Sequence, residues 1–264
     1  MKWIAATLAL SLSAVVAAPA IGGEMALVPI RDNTLYEVIL QAPDGEIPPS
    51  NGAGDYFFAG TTAMGGEIRR GLLAFDIAGV IPPGSVITDV TLTLEMSRTI
   101  SGASMVELHR VSSDWGEGTS DAPGQEGTGA PATDGDATWI HTFFPDSFWS
   151  AEGGDFSASP SAAQTVGGEG PYTWGSTPEM VADVQSWLDE PATNFGWLVM
   201  GDEQMTPSAK RFNTRENGTG PPQLTVTFQA PVPTLPTSAL TALALLLAGL
   251  AIWQFRRARK ETAI

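Results

Sequence analysis

The sequence predicts an all-β fold, a jelly-roll-like β-sandwich with one short helix, flanked by an N-terminal signal peptide and one C-terminal transmembrane helix. Three observations carry that expectation. Residues 86–96 read VITDVTLTLEM, with Val86, Val90, Leu92, Leu94 and Met96 on one alternating face and mostly polar residues on the other; strict period-two alternation marks a strand with one buried face. About ten such short segments are separated by turn residues, in a chain with 29 Gly and 20 Pro. Only one internal segment has helical spacing, which leaves no strand–helix alternation for a βαβ fold.

The elements follow in order. Residues 1–20 read as a signal peptide: Lys2, an apolar stretch over 3–16, and Ala18-Pro19-Ala20 as a small-x-small cleavage site. Strands are expected at 33–40, 56–60 and 68–77, the last carrying Leu72, Leu73 and Phe75. Pro82-Pro83-Gly84 supplies turn chemistry before the 86–96 strand, since proline sets φ and glycine permits positive φ. A strand at 105–111 leads into a long polar insertion, 112–136, of the kind that is usually functional or mobile. A strand at 138–144 and an irregular excursion over 148–163 come next. Thr177-Pro178-Glu179 is an N-cap, first-turn proline and dipole-complementing acid ahead of Met180, Val181, Val184, Trp187 and Leu188 at helical spacing. Pro191 ends that helix. Strands at 195–200, 210–215 (polar) and 223–229 close the domain, which spans 24–230, and Trp187 and Trp197 belong to its core.

Residues 231–236, PVPTLP, form a stiff linker. Residues 237–255 are 19 residues without a charge, long enough to span a bilayer. Arg256, Arg257, Arg259 and Lys260 follow in the 256–264 tail, and the positive-inside rule puts that tail in the cytoplasm and the β-domain outside.

Composition narrows the function. There are no cysteines, so neither disulfides nor thiolate metal sites arise. Residues 21–235 hold 28 acidic and 8 basic residues, a net charge of −20. That surface repels phosphate backbones and argues against nucleic-acid binding. The insertion concentrates Asp114, Glu117, Asp121, Glu126, Asp134 and Asp136; an oxygen-rich loop suits Ca²⁺, with Asp114, Glu117, Asp121, Asp134 and Asp136 as the candidate ligands, although the spacing matches no EF-hand and a solvated acidic loop is the simpler reading. Trp115, Trp139, Trp149 and Trp174 sit in or beside loops, where aromatic faces stack on sugars or pack under the loops themselves. His109 and His141 are the only histidines; no nucleophile motif accompanies His141 and Asp146, so no catalytic residue is assigned.

Several blocks, in this order, resemble the DNRLRE family of secreted β-sandwich domains, which is related to carbohydrate-binding modules. They are residues 32–37 (DNTLYE), 70–76 (RGLLAFD), 111–119 (VSSDWGEGT), 183–187 (DVQSW) and 211–216 (RFNTRE). Thr34 and Tyr36 stand where the family signature has arginines. The resemblance implies a jelly-roll sandwich, polysaccharide binding in some relatives, alginate included, and no catalysis by the domain itself. The C-terminus resembles the IPTL- and PEP-type sorting signals read by exosortases, with Val232, Pro233, Thr234 and Leu235 as the short motif before the span and its basic end. An ordinary type I membrane anchor is the alternative. The combined expectation is a secreted, surface-anchored, non-catalytic domain that binds extracellular polysaccharide. A structural surface or matrix protein without a specific ligand is the second reading, and a polysaccharide hydrolase or lyase the third.

Overall fold

The computed structural model describes residues 22–38, 47–231 and 237–261. The signal-peptide segment 1–20 and the motif Val232, Pro233, Thr234 and Leu235 lie outside them. Two compact units are present, Ile21–Pro231 and one containing the C-terminal helix.

The larger unit is built of β1 (Gly22–Leu27), β2 (Arg31–Tyr36), β3 (Pro49–Ser50), β4 (Tyr56–Thr61), β5 (Ile68–Ala74), β6 (Val86–Thr99), β7 (Ser104–Arg110), β8 (Ala130–Pro131), β9 (His141–Phe143), β10 (Ser147–Phe148), β11 (Ala162–Val166), β12 (Gly170–Trp174), helix α1 (Pro178–Asp189), β13 (Trp197–Met200), β14 (Lys210–Asn213) and β15 (Gln223–Gln229). Eleven strands make one curled antiparallel sheet in the order β1-β15-β6-β14-β4-β5-β13-β7-β11, with β12 on β6 and β2 on β5. Residues from both ends of this path share one core: Leu92, Leu94, Met96, Phe212 and Leu224 from one, Leu73, Val106, Leu108 and Val199 from the other. That layering is consistent with a β-sandwich. β4 joins the two halves. Its first four residues pair with β14, and only Gly60 and Thr61 pair with β5. Gly60 turns the corner at φ +107, where a Cβ would meet the Ser208 hydroxyl at 2.7 Å.

β6 has three partner strands, β15, β12 and β14. Its core face carries Val90, Leu92, Leu94 and Met96, all fully buried. Val86 does not share that face. The register with β15 skips Thr88, so Ile87 turns inward and Val86 is 57% exposed. A second irregularity skips Ser97: Arg211 faces Arg98 and Phe212 faces Met96. An extra residue in one strand reverses the alternation beyond it.

Most expected elements are present with shifted ends. The strand expected over 138–144 shrinks to β9, and β14, polar in sequence, is buried at all four positions. Strands β1, β11 and β12, and the two-residue strands β3, β8 and β10, arise where none was expected. β12 reads GPYTW, whose opening Gly-Pro disguises an edge strand that pairs all five residues with β6. Helix α1 begins as its cap predicts: Thr177 Oγ1 accepts from the Met180 amide at 3.1 Å. It buries Met180, Val184, Trp187 and Leu188, and Trp187 meets Trp197 edge-on with centroids 4.6 Å apart.

In the other unit, α2 (Thr237–Glu261) is a single helix whose side chains from Leu243 to Phe255 are exposed, Leu245 and Trp253 among them. Among the described residues no helix is long and apolar enough to cross a membrane.

Candidate ligand-binding pocket

Three of the four tryptophans expected at a ligand face are interior. Trp115 and Trp174 are fully buried and Trp149 nearly so. Each indole N–H donates to a backbone carbonyl: Trp115 to Phe195 and Trp174 to Val106 at 2.8 and 2.9 Å, Trp149 to Thr138 at 2.9 Å. A large amphipathic ring is worth more under a long loop than in water, provided its N–H finds an acceptor. Trp139 is half-buried, and the Arg70 guanidinium lies over its ring at 4.9 Å.

The five insertion residues expected as Ca²⁺ ligands do not converge. Asp114 pairs with Arg31 at 2.7 Å. Glu117 binds Arg215 through both oxygens. Asp121 and Asp134 are exposed. Asp136 is buried and accepts from the Thr133 amide at 2.6 Å. Among the described residues no group of three or more acidic, His or Cys side chains could hold a metal. The expected Ca²⁺ ligand set therefore does not come together: guanidiniums engage Asp114 and Glu117, Thr133 engages Asp136, and Asp121 and Asp134 face solvent.

The insertion is pinned to the sheet. Its β8 pairs with β3, and the insertion passes so close to Gly52 that a Cβ there would lie 1.6 Å from the Glu117 carbonyl. Glu126 is the main fastener. Its carboxylate accepts from Asn51 Nδ2 (2.8 Å), the Tyr56 amide (2.9 Å) and the Asp55 amide (3.2 Å), and its carbonyl accepts from the Tyr36 hydroxyl (2.9 Å). It holds φ +63 to do so, a conformation that costs a non-glycine residue strain. Burial raises the Glu126 pKa, and these donors oppose the rise.

This fastening walls a cavity of about 220 Å³ against the outer face of the sheet. Phe57 and Phe212 stack in the core with centroids 5.3 Å apart, so their neighbours Phe58 and Arg211 point outward side by side. The bulge at Ser97 brings Arg98 alongside Arg211. Phe58, Ile100, Ala63 and Ala209 form the apolar wall, Arg69, Arg98 and Arg211 the cationic one, and Gln125 and Gly127 of the insertion the rim. The Arg211 guanidinium lies 3.6 Å over the Tyr56 ring. Gln125 Oε1 accepts from Arg98 at 2.7 Å and from Arg211 at 2.8 Å.

The charge pairing around this cavity is unusual for so acidic a domain. Of its eight cations, five form ion pairs: Arg31, Arg69, Arg70, Arg110 and Arg215. Arg98, Lys210 and Arg211 form none among the described residues. Lys210 is buried on the core side and donates to Thr99, Ser101 and the Gly102 carbonyl, with burial lowering its pKa. Arg98 and Arg211 line the cavity. Burial lowers the Arg211 pKa; Tyr56 opposes this and the like charge of Arg98 adds to it. Glu126 and Glu169 act on Arg211 from a distance without pairing with it, and two guanidiniums without an ion pair beside an apolar wall can bind an anion by charge-assisted, planar hydrogen bonds. No carboxylate, imidazole or thiol is among the lining residues, so the cavity has no general base.

Sequence reasoning missed Phe58, Arg98, Gln125 and Arg211 as site residues. The scarcity of cations was a visible clue, but which of them lack a partner is set by carboxylates far away in the chain. Neither His109 nor His141 reaches the cavity wall: His109 Nδ1 meets the Ser157 carbonyl at 2.8 Å, and His141 Nδ1 meets Thr138 Oγ1 at 2.9 Å instead of Asp146. No family model matches the chain, and no match to it is found among curated proteins.

Proposed function

We propose that the β-domain is a non-catalytic module that binds an acidic extracellular polysaccharide in the cavity bounded by Phe58, Arg98, Ile100, Gln125 and Arg211. The observation that carries this reading is the pair of guanidiniums without a carboxylate partner in a domain of net charge −20. A buried cation normally acquires a counter-charge when acids are abundant, and Arg211 is buried without an ion pair beside Arg98, which is exposed at the mouth of the cavity and also without one. The apolar wall suits the carbon face of a sugar ring, and the paired arginines suit its carboxylate or sulfate. The resemblance of residues 32–37, 70–76, 111–119, 183–187 and 211–216 to DNRLRE domains supports the same function and a jelly-roll order of strands.

The test is affinity electrophoresis of the full-length protein, solubilised in mild detergent, through gels containing polygalacturonate, dextran sulfate or neutral dextran. Retardation by a polyanion, lost in Arg98→Ala and Arg211→Ala, is expected. Equal retardation by dextran, or none in any gel, would leave a structural surface protein as the better reading. Release of shortened chains from polygalacturonate would favour an enzyme.

The same reading has the domain exported, with residues 237–255 as a tether that rests on the sequence alone, since among the described residues no helix is long and apolar enough to cross a membrane. Supporting it are the 19 uncharged residues of 237–255 and the basic residues that follow. If an exosortase-type enzyme processes the tail, mass spectrometry of native protein finds a C-terminus near Val232–Leu235 only in cells that have that enzyme. An intact Ile264 in both backgrounds leaves a type I anchor.

A further inference from the structure

Gln125 is an exposed side chain on the rim of the cavity, yet its single amide oxygen takes a hydrogen bond from each of the two unpaired arginines. Arg98 has it as its one hydrogen-bond partner among the described residues, whereas Arg211 also donates to Ser97 Oγ at 3.1 Å. Two adjacent guanidiniums repel each other, and Arg98 left alone would swing toward solvent. The backbone beneath Gln125 cannot follow it, because the next residue, Glu126, is fastened through its carboxylate to Asn51, Asp55 and Tyr56.

We propose that Gln125 is a positioning residue that sets the charge selectivity of the cavity: its neutral oxygen gathers Arg98 and Arg211 onto one point while leaving both positive charges for the ligand. This rests on the reading that the cavity binds an acidic polysaccharide. Chemical type matters more than shape here. A glutamate at this position has the same length and reaches the same two guanidiniums, but it forms the ion pair that the ligand would otherwise form.

The variants are Gln125→Glu and Gln125→Ala in the full-length protein, with binding to polygalacturonate and to dextran sulfate measured across a range of NaCl concentration. Gln125→Glu should bind at least about tenfold more weakly, a loss of about 1.4 kcal/mol, and should lose most of its dependence on salt. Gln125→Ala should weaken binding less and keep the wild-type salt dependence, since both charges remain but are no longer held together. Melting temperatures should be unchanged in both, because the side chain is exposed. Wild-type-like affinity in Gln125→Glu overturns the proposal. So does an equal effect of the two variants on affinity and salt dependence, or a melting-temperature loss that parallels the affinity loss. If the wild type binds neither polyanion, the reading of the cavity fails first and this inference falls with it; binding by the wild type with Gln125→Glu unaffected sinks this inference alone.

Discussion

The Glu126 carboxylate meets the Asn51 side-chain amide at 2.8 Å across 75 residues of sequence. That contact, with the two backbone amides of Asp55 and Tyr56 on the same carboxylate, converts a glycine-rich insertion into one wall of a cavity. An insertion without regular strands beyond β8 is ordered here by side chain–backbone bonds, because buried polar groups must find partners.

Glu126→Ala should therefore destabilise the domain by about 1–3 kcal/mol, the usual cost of leaving buried donors unpaired. Glu126→Gln, which keeps an acceptor, should cost less. Denaturant melts of the two variants check this. Equal stability of Glu126→Ala and wild type would mean the insertion is held elsewhere.

The bulge at Thr88 makes a sharp comparison. Ile87→Ala should cost about 2–5 kcal/mol as a core truncation, while Val86→Ala should stay within about 0.5 kcal/mol as a surface change. The reverse ranking would restore the uninterrupted alternation that the sequence suggests.

Asp32 is fully buried, and one of its carboxylate oxygens has no partner among the described residues. Burial holds its pKa well above the ordinary 3.8, with Glu216 and Glu117 adding to the rise and the Arg215 amide opposing it. The folded protein thus takes up this proton at higher pH than the unfolded chain, and the contribution of Asp32 to stability falls as pH rises through its folded pKa. Asp32→Asn should raise the melting temperature at pH 7, with the gain shrinking as pH falls toward 4. A lower melting temperature at pH 7 would show that the ionised form is favourably held.

Calcium should have no effect on stability through the insertion. Asp114 and Glu117 are engaged by Arg31 and Arg215, and Asp121 and Asp134 face solvent. Thermal melts with millimolar Ca²⁺ and with EDTA should coincide. A rise with Ca²⁺ would require these carboxylates to rearrange, since binding to the folded state alone raises the melting temperature by mass action.

What the sequence by itself determined is local. Period-two alternation located β6, β7 and β15, an apolar cluster at Leu72, Leu73 and Phe75 located β5, and a Thr-Pro-Glu start located α1, because side-chain direction and capping depend on a few neighbouring residues. Trp187 and Trp197 were legible as core for the same reason, and both are fully buried. The tertiary structure decided the rest. Strict alternation from Met96 would send Arg98 into the core; one extra residue at Ser97, imposed by pairing with β14, sends it out beside Arg211. Trp115 and Trp174 look like loop aromatics until the carbonyls of Phe195 and Val106, 80 and 68 residues away, accept their N–H groups. Glu117 looks like a metal ligand until Arg215, 98 residues on, takes both its oxygens. Counting charges along a chain gives their totals, but an open site is a charge left without a partner, and partnership is set by distances that only the folded chain defines.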